Sequence, residues 1–268
     1  MDNHINEFFS QFRDDTPKGN FHKVIQLNKN EKLDWDAACK LVPSLCKGWF
    51  ELSRLSVSDR IEFTRDFWLS KLPYHQNLDD FLNRFFSSLD DIVVFIVQKK
   101  FDDPHEAFLV YSLKENKGFF RGLTPMSDSE KIKLQKSFAG TMFPVDYISF
   151  LQIHNGFCKT TDCTGITPSY NMKESYDRFQ AMVAEENVST TKGLSVDPTQ
   201  LIPFYESFGM PFFQCFWEDW YPEQEMGNVY YSGVSKTISG IAGREASAEN
   251  MSFPTFTDWL MFYMELIT

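Results

Sequence analysis

The sequence predicts an α+β fold, because two different apolar periodicities occur along it. Apolar residues spaced three and four apart predict amphipathic helices, most clearly at Leu78, Phe81, Leu82, Phe85, Phe86 and Leu89. The β-branched and aromatic run from Ile92 to Val97 predicts a buried strand. The chain is 43% hydrophobic and contains 28 Phe, so it has enough apolar material for a substantial core.

The first half is predicted to begin with helices. Residues up to about 30 are polar and weakly periodic, whereas the apolar spacing from Leu33 to Leu55 is helical. Pro43 and Gly48 are expected to break or bend that helix. Ser56, with Asp59 three residues later, has the form of an N-terminal cap for the next helix.

A small antiparallel sheet is expected to follow these helices. The strand at Ile92 to Val97 precedes turn residues at 101–106, a returning strand from Ala107 to Leu113 and a third strand at Phe119-Phe120. The turn contains His105 and Glu106, which could form an acid–base pair, but a connection between strands explains these residues better.

A domain boundary is predicted between Gly122 and Ser127. Ser127 and Glu130 have the spacing of a capping box, which indicates that a new helix begins there. Residues 1–126 contain 17 Lys and Arg against 19 Asp and Glu, whereas residues 127–268 contain 9 against 18. The predicted domains are therefore a near-neutral region at 1–126, with helices and a β-hairpin, and an acidic domain at 127–268.

The second half contains a short helix with both ends marked. Pro144 suits the first helical position, and Asn155-Gly156 can end the helix because these residues tolerate positive φ. Further helices are predicted around Met172 to Val183 and after Thr255, with strands at Leu201 to Tyr205, Pro211 to Trp217 and Asn228 to Tyr231.

Five motifs follow one another within about residues 128–266. They are Phe143-Pro144-x-Asp146-Tyr147-x-x-Phe150-Leu151-x-x-x-Asn155-Gly156, Gly165-Ile166-Thr167-Pro168, Leu201-Ile202-Pro203-Phe204, Gly227-Asn228-Val229-Tyr230-Tyr231 and Ser252-Phe253-x-x-Phe256-x-x-Trp259-Leu260. In this order they resemble the SUKH superfamily, which includes the Smi/Knr cell-wall regulators of fungi and many bacterial immunity proteins. Phe143 replaces the usual Leu, and residues 209–214 lack the Gly-Asp/Asn-rich turn that is frequent in the family before the middle strand.

The resemblance implies a mixed or antiparallel sheet flanked by helices, and a protein that acts by binding other proteins. We therefore expect a protein-binding module, either an immunity protein or a regulatory adaptor, and not an enzyme. The resemblance carries over no catalytic residues. Two alternatives stay open, a secretion or assembly chaperone and an unrecognised enzyme.

One segment of the acidic domain combines large aromatic residues with carboxylates and contains no basic residue. It connects two predicted strands, and its candidate partner-binding residues are Trp217, Glu218, Asp219, Trp220, Tyr221, Glu223 and Glu225. Aromatic residues are enriched at binding hot spots, and carboxylates would steer a basic partner. The alternative is a hairpin whose aromatic residues pack on the domain's own core while its acids face water.

Composition argues against several other functions. The net charge of −11 disfavours nucleic acid as a partner, and no apolar run exceeds six residues, so no membrane span is predicted. The five cysteines and five histidines lack metal-ligand spacing, and no phosphate-binding glycine loop occurs, so no metal and no cofactor is expected. The odd cysteine count and the absence of a secretory signal favour a cytoplasmic protein.

Overall fold

The computed structural model describes residues 1–12, 19–162, 164–207, 211–219, 226–239 and 251–265. The chain divides into two compact units, of which the first runs from Met1 to Pro125 and the second from Met126 to Leu266. Helices and mostly antiparallel strands occur in both units. The predicted α+β class is therefore confirmed.

The first unit is built from short helices followed by a meander of strands. Its elements are α1 (Asn3–Phe8), β1 (Lys23–Gln26), α2 (Trp35–Leu41), α3 (Lys47–Leu52), α4 (Val57–Lys71), α5 (Leu78–Ser87), β2 (Leu89–Gln98), β3 (His105–Leu113) and β4 (Phe119–Leu123). The strands pair antiparallel in the order β1-β2-β3-β4.

Local sequence signals explain most of the helix ends in the first unit. The Ser56 side chain accepts a hydrogen bond from the backbone N–H of Asp59, as the capping pattern predicts. Pro43 lies between α2 and α3, but Gly48 lies inside α3 and does not break it. Gly48 is the second residue of α3, where the backbone N–H has no intrahelical acceptor. A glycine at this position therefore costs the helix little stability. Leu89, expected to continue a helix, begins β2.

The middle strand β2 of the first unit's sheet is buried on both faces. Every residue from Ile92 to Val97 is buried. On one face, the ring of Phe9, the residue that follows α1, stacks on Phe95 at 4.1 Å. Toward α4, the Trp68 indole Nε1 donates to the Tyr111 hydroxyl at 3.1 Å. An uninterrupted apolar strand is the pattern that two covered faces require.

The second unit alternates short helices and strands. Its elements are α6 (Asp128–Ser137), α7 (Val145–Leu151), β5 (Phe157–Lys159), β6 (Gly165–Ile166), α8 (Met172–Val183), β7 (Ser189–Thr190), β8 (Leu201–Glu206), β9 (Phe212–Trp217), β10 (Asn228–Ser232), β11 (Thr237–Ile238) and α9 (Phe256–Glu265). The strand order is β5-β6-β8-β9-β10-β11-β7, antiparallel except for the parallel pair β11 and β7.

The two faces of this sheet carry different layers. On one face, Phe179 of α8 packs edge-on against Phe213 of β9, with ring centroids 5.2 Å apart. On the other, Phe216 contacts Tyr147 of α7 at 4.9 Å, and Phe204 contacts Trp259 of α9 at 4.8 Å. Alternate residues of β9 therefore face α8 and the α7–α9 layer.

The capping box predicted at the start of α6 is present. The Ser127 hydroxyl accepts from the Glu130 backbone, and the Glu130 carboxylate accepts from the Ser127 backbone. Two details of the next helix were predicted wrongly. Pro144 is the N-cap of α7 instead of its first residue, and α7 ends at Leu151 instead of at Asn155-Gly156. Gly156 does adopt positive φ, +111°, but in the turn that leads into β5.

Asp146 of α7 caps the start of α9. Its Oδ2 accepts hydrogen bonds from the Thr257 backbone N–H at 2.8 Å and from the Thr257 hydroxyl at 3.0 Å. A carboxylate at a helix N-terminus satisfies an orphan donor and interacts favourably with the helix dipole. One side chain thus joins two helices that lie on the same face of the sheet.

Replacing Asp146 with alanine is expected to lower the free energy of unfolding by ~1–2 kcal/mol, because Thr257 loses its acceptor. Urea unfolding followed by circular dichroism measures the change. The matched control is Asp128→Ala in the first turn of α6, whose side chain is exposed, and we expect a loss below ~0.5 kcal/mol. Equal losses in the two variants would contradict the capping role.

The stability of the protein is expected to fall above about pH 10. Burial raises the pKa of the Tyr147 and Tyr263 phenols well above the ordinary 10.0. Above that pH the folded chain keeps protons that the unfolded chain releases, so the free energy of unfolding decreases as pH rises. Tyr147→Phe should reduce this slope, whereas Tyr74→Phe, at a side chain 94% exposed, should not. An unchanged slope in Tyr147→Phe would contradict the prediction.

Candidate protein-binding surface

The candidate surface lies at the end of the second unit's sheet where β8 begins and β9 ends. The backbone N–H of Glu218 donates to the carbonyl of Gln200 at 2.9 Å. The backbone N–H of Trp217 donates to the carbonyl of Gly227 at 3.1 Å. These bonds extend the strand pairing past the end of β9. They place the start of the predicted aromatic and acidic segment on the sheet itself.

Three of the predicted partner-binding residues lie here, in different environments. Trp217 is half-buried and packs against the hydrophobic core under α8, as the alternative interpretation expected for the aromatic residues. Glu218 is half-buried and Asp219 is exposed. The remaining predicted residues lie outside the described part of the chain, namely Trp220, Tyr221, Glu223 and Glu225.

The connection between α6 and α7 passes over this end of the sheet. Gly140 adopts a φ of +101°, which a residue with a Cβ rarely does, so the chain can turn sharply there. The Thr141 hydroxyl then donates a short hydrogen bond to Glu218 Oε1. Phe143 inserts its ring beside Phe216, with centroids 6.0 Å apart. The connection is thus fixed to β9 by one polar and one aromatic contact.

Two apolar side chains close to this half-buried phenylalanine face solvent. Met142 is 86% exposed and Val145 is 73% exposed. Single exposed apolar residues are common on protein surfaces. Here, however, two of them lie in one short segment whose neighbour Thr141 contacts Glu218. The end of the sheet therefore combines exposed apolar groups with a carboxylate.

Tyr176 of α8 forms the third side of the surface. Its ring packs edge-on against Phe138 at 5.6 Å, and its hydroxyl donates to the carbonyl of Thr199 at 3.1 Å. Partial burial, followed by the negative charge of Glu218, raises the pKa of the Tyr176 phenol. The side chain is half-exposed, so part of the ring stays available to a ligand.

The charge at this end of the sheet is predominantly negative. Its carboxylates come from three elements, α8, the turn before β8 and the end of β9, and belong to Asp177, Asp197, Glu218 and Asp219. Lys173 forms an i,i+4 ion pair with Asp177. We call Thr141, Met142, Val145, Lys173, Tyr176, Asp177, Asp197, Glu218 and Asp219 the sheet-end surface.

Sequence reasoning named Glu218 and Asp219 as candidates and did not single out the other residues of this surface. Tyr176 lies on the apolar stripe of α8, so its spacing indicates a core residue, although its side chain is only partly buried. Met142 precedes the signature segment and carries no pattern of its own. The path of the α6–α7 connection brings Met142 towards Glu218, and the packing of α8 brings Tyr176 there.

The signature residues themselves serve the fold. Asn155 Oδ1 accepts from the Ser169 backbone at 2.7 Å, and Asn155 Nδ2 donates to Glu130 at 3.3 Å. His154 lies fully buried, with its ring stacked on Phe157 at 5.3 Å. The signature therefore links α6, α7 and the turn before α8. Its defining residues stabilise the fold, and other residues form the exposed surface.

A second cluster of ionisable groups lies around Asp162. Its carboxylate accepts hydrogen bonds from the Tyr205 hydroxyl at 3.0 Å, from the Lys159 backbone at 3.1 Å and from the Tyr263 hydroxyl. Burial lowers the pKa of the Lys159 ammonium. Since donors from the chain itself reach both carboxylate oxygens, this cluster holds the β5–β6 connection against α9.

The described residues offer neither of two other kinds of site. Within the described ranges, no three histidine, cysteine or carboxylate side chains are grouped so that they could hold a metal ion. The described helices include none that is both long and apolar enough to cross a membrane.

Comparison with known protein families identifies the second unit. The model of the SMI1 / KNR4 family (SUKH-1) matches residues 125–261, slightly more than half of the chain. No curated protein and no solved structure matches the chain. The match confirms the resemblance found in the sequence and falls on the unit that carries the sheet-end surface. The chain belongs to the SMI1 / KNR4 family (SUKH-1).

Proposed function

We propose that the second unit is a protein-binding module and that its sheet-end surface contacts a basic partner protein. The observation that carries the proposal is the exposure of Met142 and Val145 in the segment that Thr141 joins to the carboxylate of Glu218. Membership of the SMI1 / KNR4 family is consistent with such a module.

The apolar part of the surface supplies the groups that bury area on binding. Met142 is unbranched and polarisable, so it can adapt to an irregular partner surface. It is anchored on both sides, by Thr141 on Glu218 and by Phe143 on Phe216. Because the backbone is already held, binding would cost little additional conformational entropy.

The charged part of the surface supports the choice of a basic partner. Residues 127–268 carry 9 Lys and Arg against 18 Asp and Glu. An excess of one sign raises the rate of encounter with an oppositely charged protein. Carboxylates at the rim of an apolar contact also discriminate against acidic partners.

The activity of the partner would distinguish an immunity protein from a regulatory adaptor, the two roles that this proposal includes. An immunity protein would block a toxin by covering the toxin's functional surface, whereas a regulatory adaptor would bring a signalling protein to its target. A cytoplasmic location fits either role. No disulfide joins the described cysteines at 39, 46, 158 and 215, which supports a reducing compartment.

Site-specific photo-crosslinking in the native cell tests the proposal. A photoreactive phenylalanine derivative at Met142 is expected to capture a defined protein, which mass spectrometry identifies. The matched control places the same group at Leu194, which is 68% exposed in the same unit. Equal capture of the same protein from both positions would contradict the assignment of this surface.

Quantitative binding then tests the energetic role of the surface. Met142→Ala is expected to weaken the affinity for the captured protein by ~1–2 kcal/mol, the scale of an interface side chain near a hot spot. Asp219→Asn should mainly slow association and reduce its salt dependence. Leu194→Ala serves as the control and should change neither quantity. Unchanged affinity in Met142→Ala would exclude Met142 from the contact.

A further inference from the structure

The ring of Tyr176 already carries a cation from its own chain. The Lys173 ammonium lies 5.4 Å from the ring centroid and also pairs with Asp177 one helical turn away. An ammonium within about 6 Å of an aromatic face is attracted by the ring quadrupole. Both Lys173 and Asp177 are exposed, so this internal pair is accessible to competition.

Two further carboxylates from other elements act electrostatically on the same side chain. Asp197 is held at the start of the turn before β8, where its Oδ1 accepts from the Thr199 backbone N–H at 2.9 Å. The carbonyl of Thr199 in turn accepts from the Tyr176 hydroxyl at 3.1 Å. The backbone N–H of Glu218 donates to the Gln200 carbonyl, and the Glu218 carboxylate accepts from the Thr141 hydroxyl. The negative charges of Glu218, Asp177 and Asp197 all act on the Tyr176 phenol.

These contacts form an arrangement that is not a simple acidic patch. A partly exposed aromatic ring is backed by Phe138 at 5.6 Å and feels the charges of carboxylates that come from three separate elements. Two of those carboxylates are fixed by hydrogen bonds within the fold. A single ammonium is already in place, which shows that a cation fits against the ring.

We propose that the sheet-end surface contains a recognition site for one arginine or lysine side chain of the partner, which lies on Tyr176 between Glu218 and Asp197. Lys173 occupies this site in the unbound chain and competes with the partner. The inference rests on the proposed function, because it names the chemistry by which that surface selects a basic partner.

Energetic arguments support both parts of this inference. An exposed i,i+4 ion pair contributes little to stability because water screens it, so a partner's cation can displace Lys173 from the ring with little loss. A guanidinium is planar and weakly hydrated, and it can stack on the ring while donating to a carboxylate. Arginine is therefore expected to bind more strongly than lysine.

A small probe tests the site without knowledge of the partner. N-acetyl-arginine amide is titrated into the isotopically labelled full chain, and chemical shifts are followed by NMR. Saturable shifts are expected at Tyr176, Phe138 and Thr141. N-acetyl-citrulline amide, which has nearly the same shape but no charge, is the control ligand and should cause no saturable shift there.

Two variants should change the apparent affinity for the arginine probe in opposite directions. Glu218→Gln is expected to weaken binding about fivefold, because it removes one charge from the site. Lys173→Met should strengthen binding about threefold, since it removes the competing ammonium and leaves Asp177 unpaired. The matched control is Lys236→Met, whose ammonium pairs with Glu186 at 3.3 Å elsewhere in the unit, and it should change nothing.

The outcomes separate this inference from the proposed function. No saturable shift with the arginine probe, or equal binding to wild type and Glu218→Gln, would overturn the cation site and would leave the crosslinking result at Met142 standing. Weaker binding in Lys173→Met would also overturn it, because Lys173 would then be part of the ligand's environment instead of its competitor. Site-confined shifts with opposite effects in the two variants support the proposal.

Discussion

The second unit depends on a sheet whose middle strands are covered on both faces. Phe216 and Phe204 stack at 4.3 Å on one face, while Phe213 and Cys215 belong to the core on the other. The helix α6 packs with α8, and α7 packs with α9 on the opposite face. The chain between α6 and α7 must therefore cross the end of β9, and that crossing creates the sheet-end surface.

This origin gives the surface a rigid frame and exposed side chains. Its backbone is set by Gly140, by the Thr141–Glu218 hydrogen bond and by Phe143 against Phe216. The side chains between these fixed points have no space in the core and face water. A surface assembled in this way is ordered before a partner arrives, which reduces the entropic cost of association.

The residues that define the family have mostly structural tasks in this chain. Asp146 caps α9, Tyr147 packs between helices and sheet, and Asn155 connects α6 to the turn before α8. Residues with such tasks identify the fold well. They say little about the partner, because the exposed groups around them are free to differ without loss of stability.

The sequence by itself determined the elements whose signals are local. Ser127 with Glu130 and Thr255 with Asp258 mark helix starts within four residues, and β8, β9 and β10 follow from their apolar composition. The short strands β5, β6, β7 and β11 were decided by tertiary pairing, since two or three residues carry no period. Glu218 and Asp219 were predictable because they stand beside aromatic residues in an acidic run. Met142 and Tyr176 were not, because the crossing between α6 and α7 places Met142 near Glu218 and the packing of α8 on the sheet places Tyr176 there.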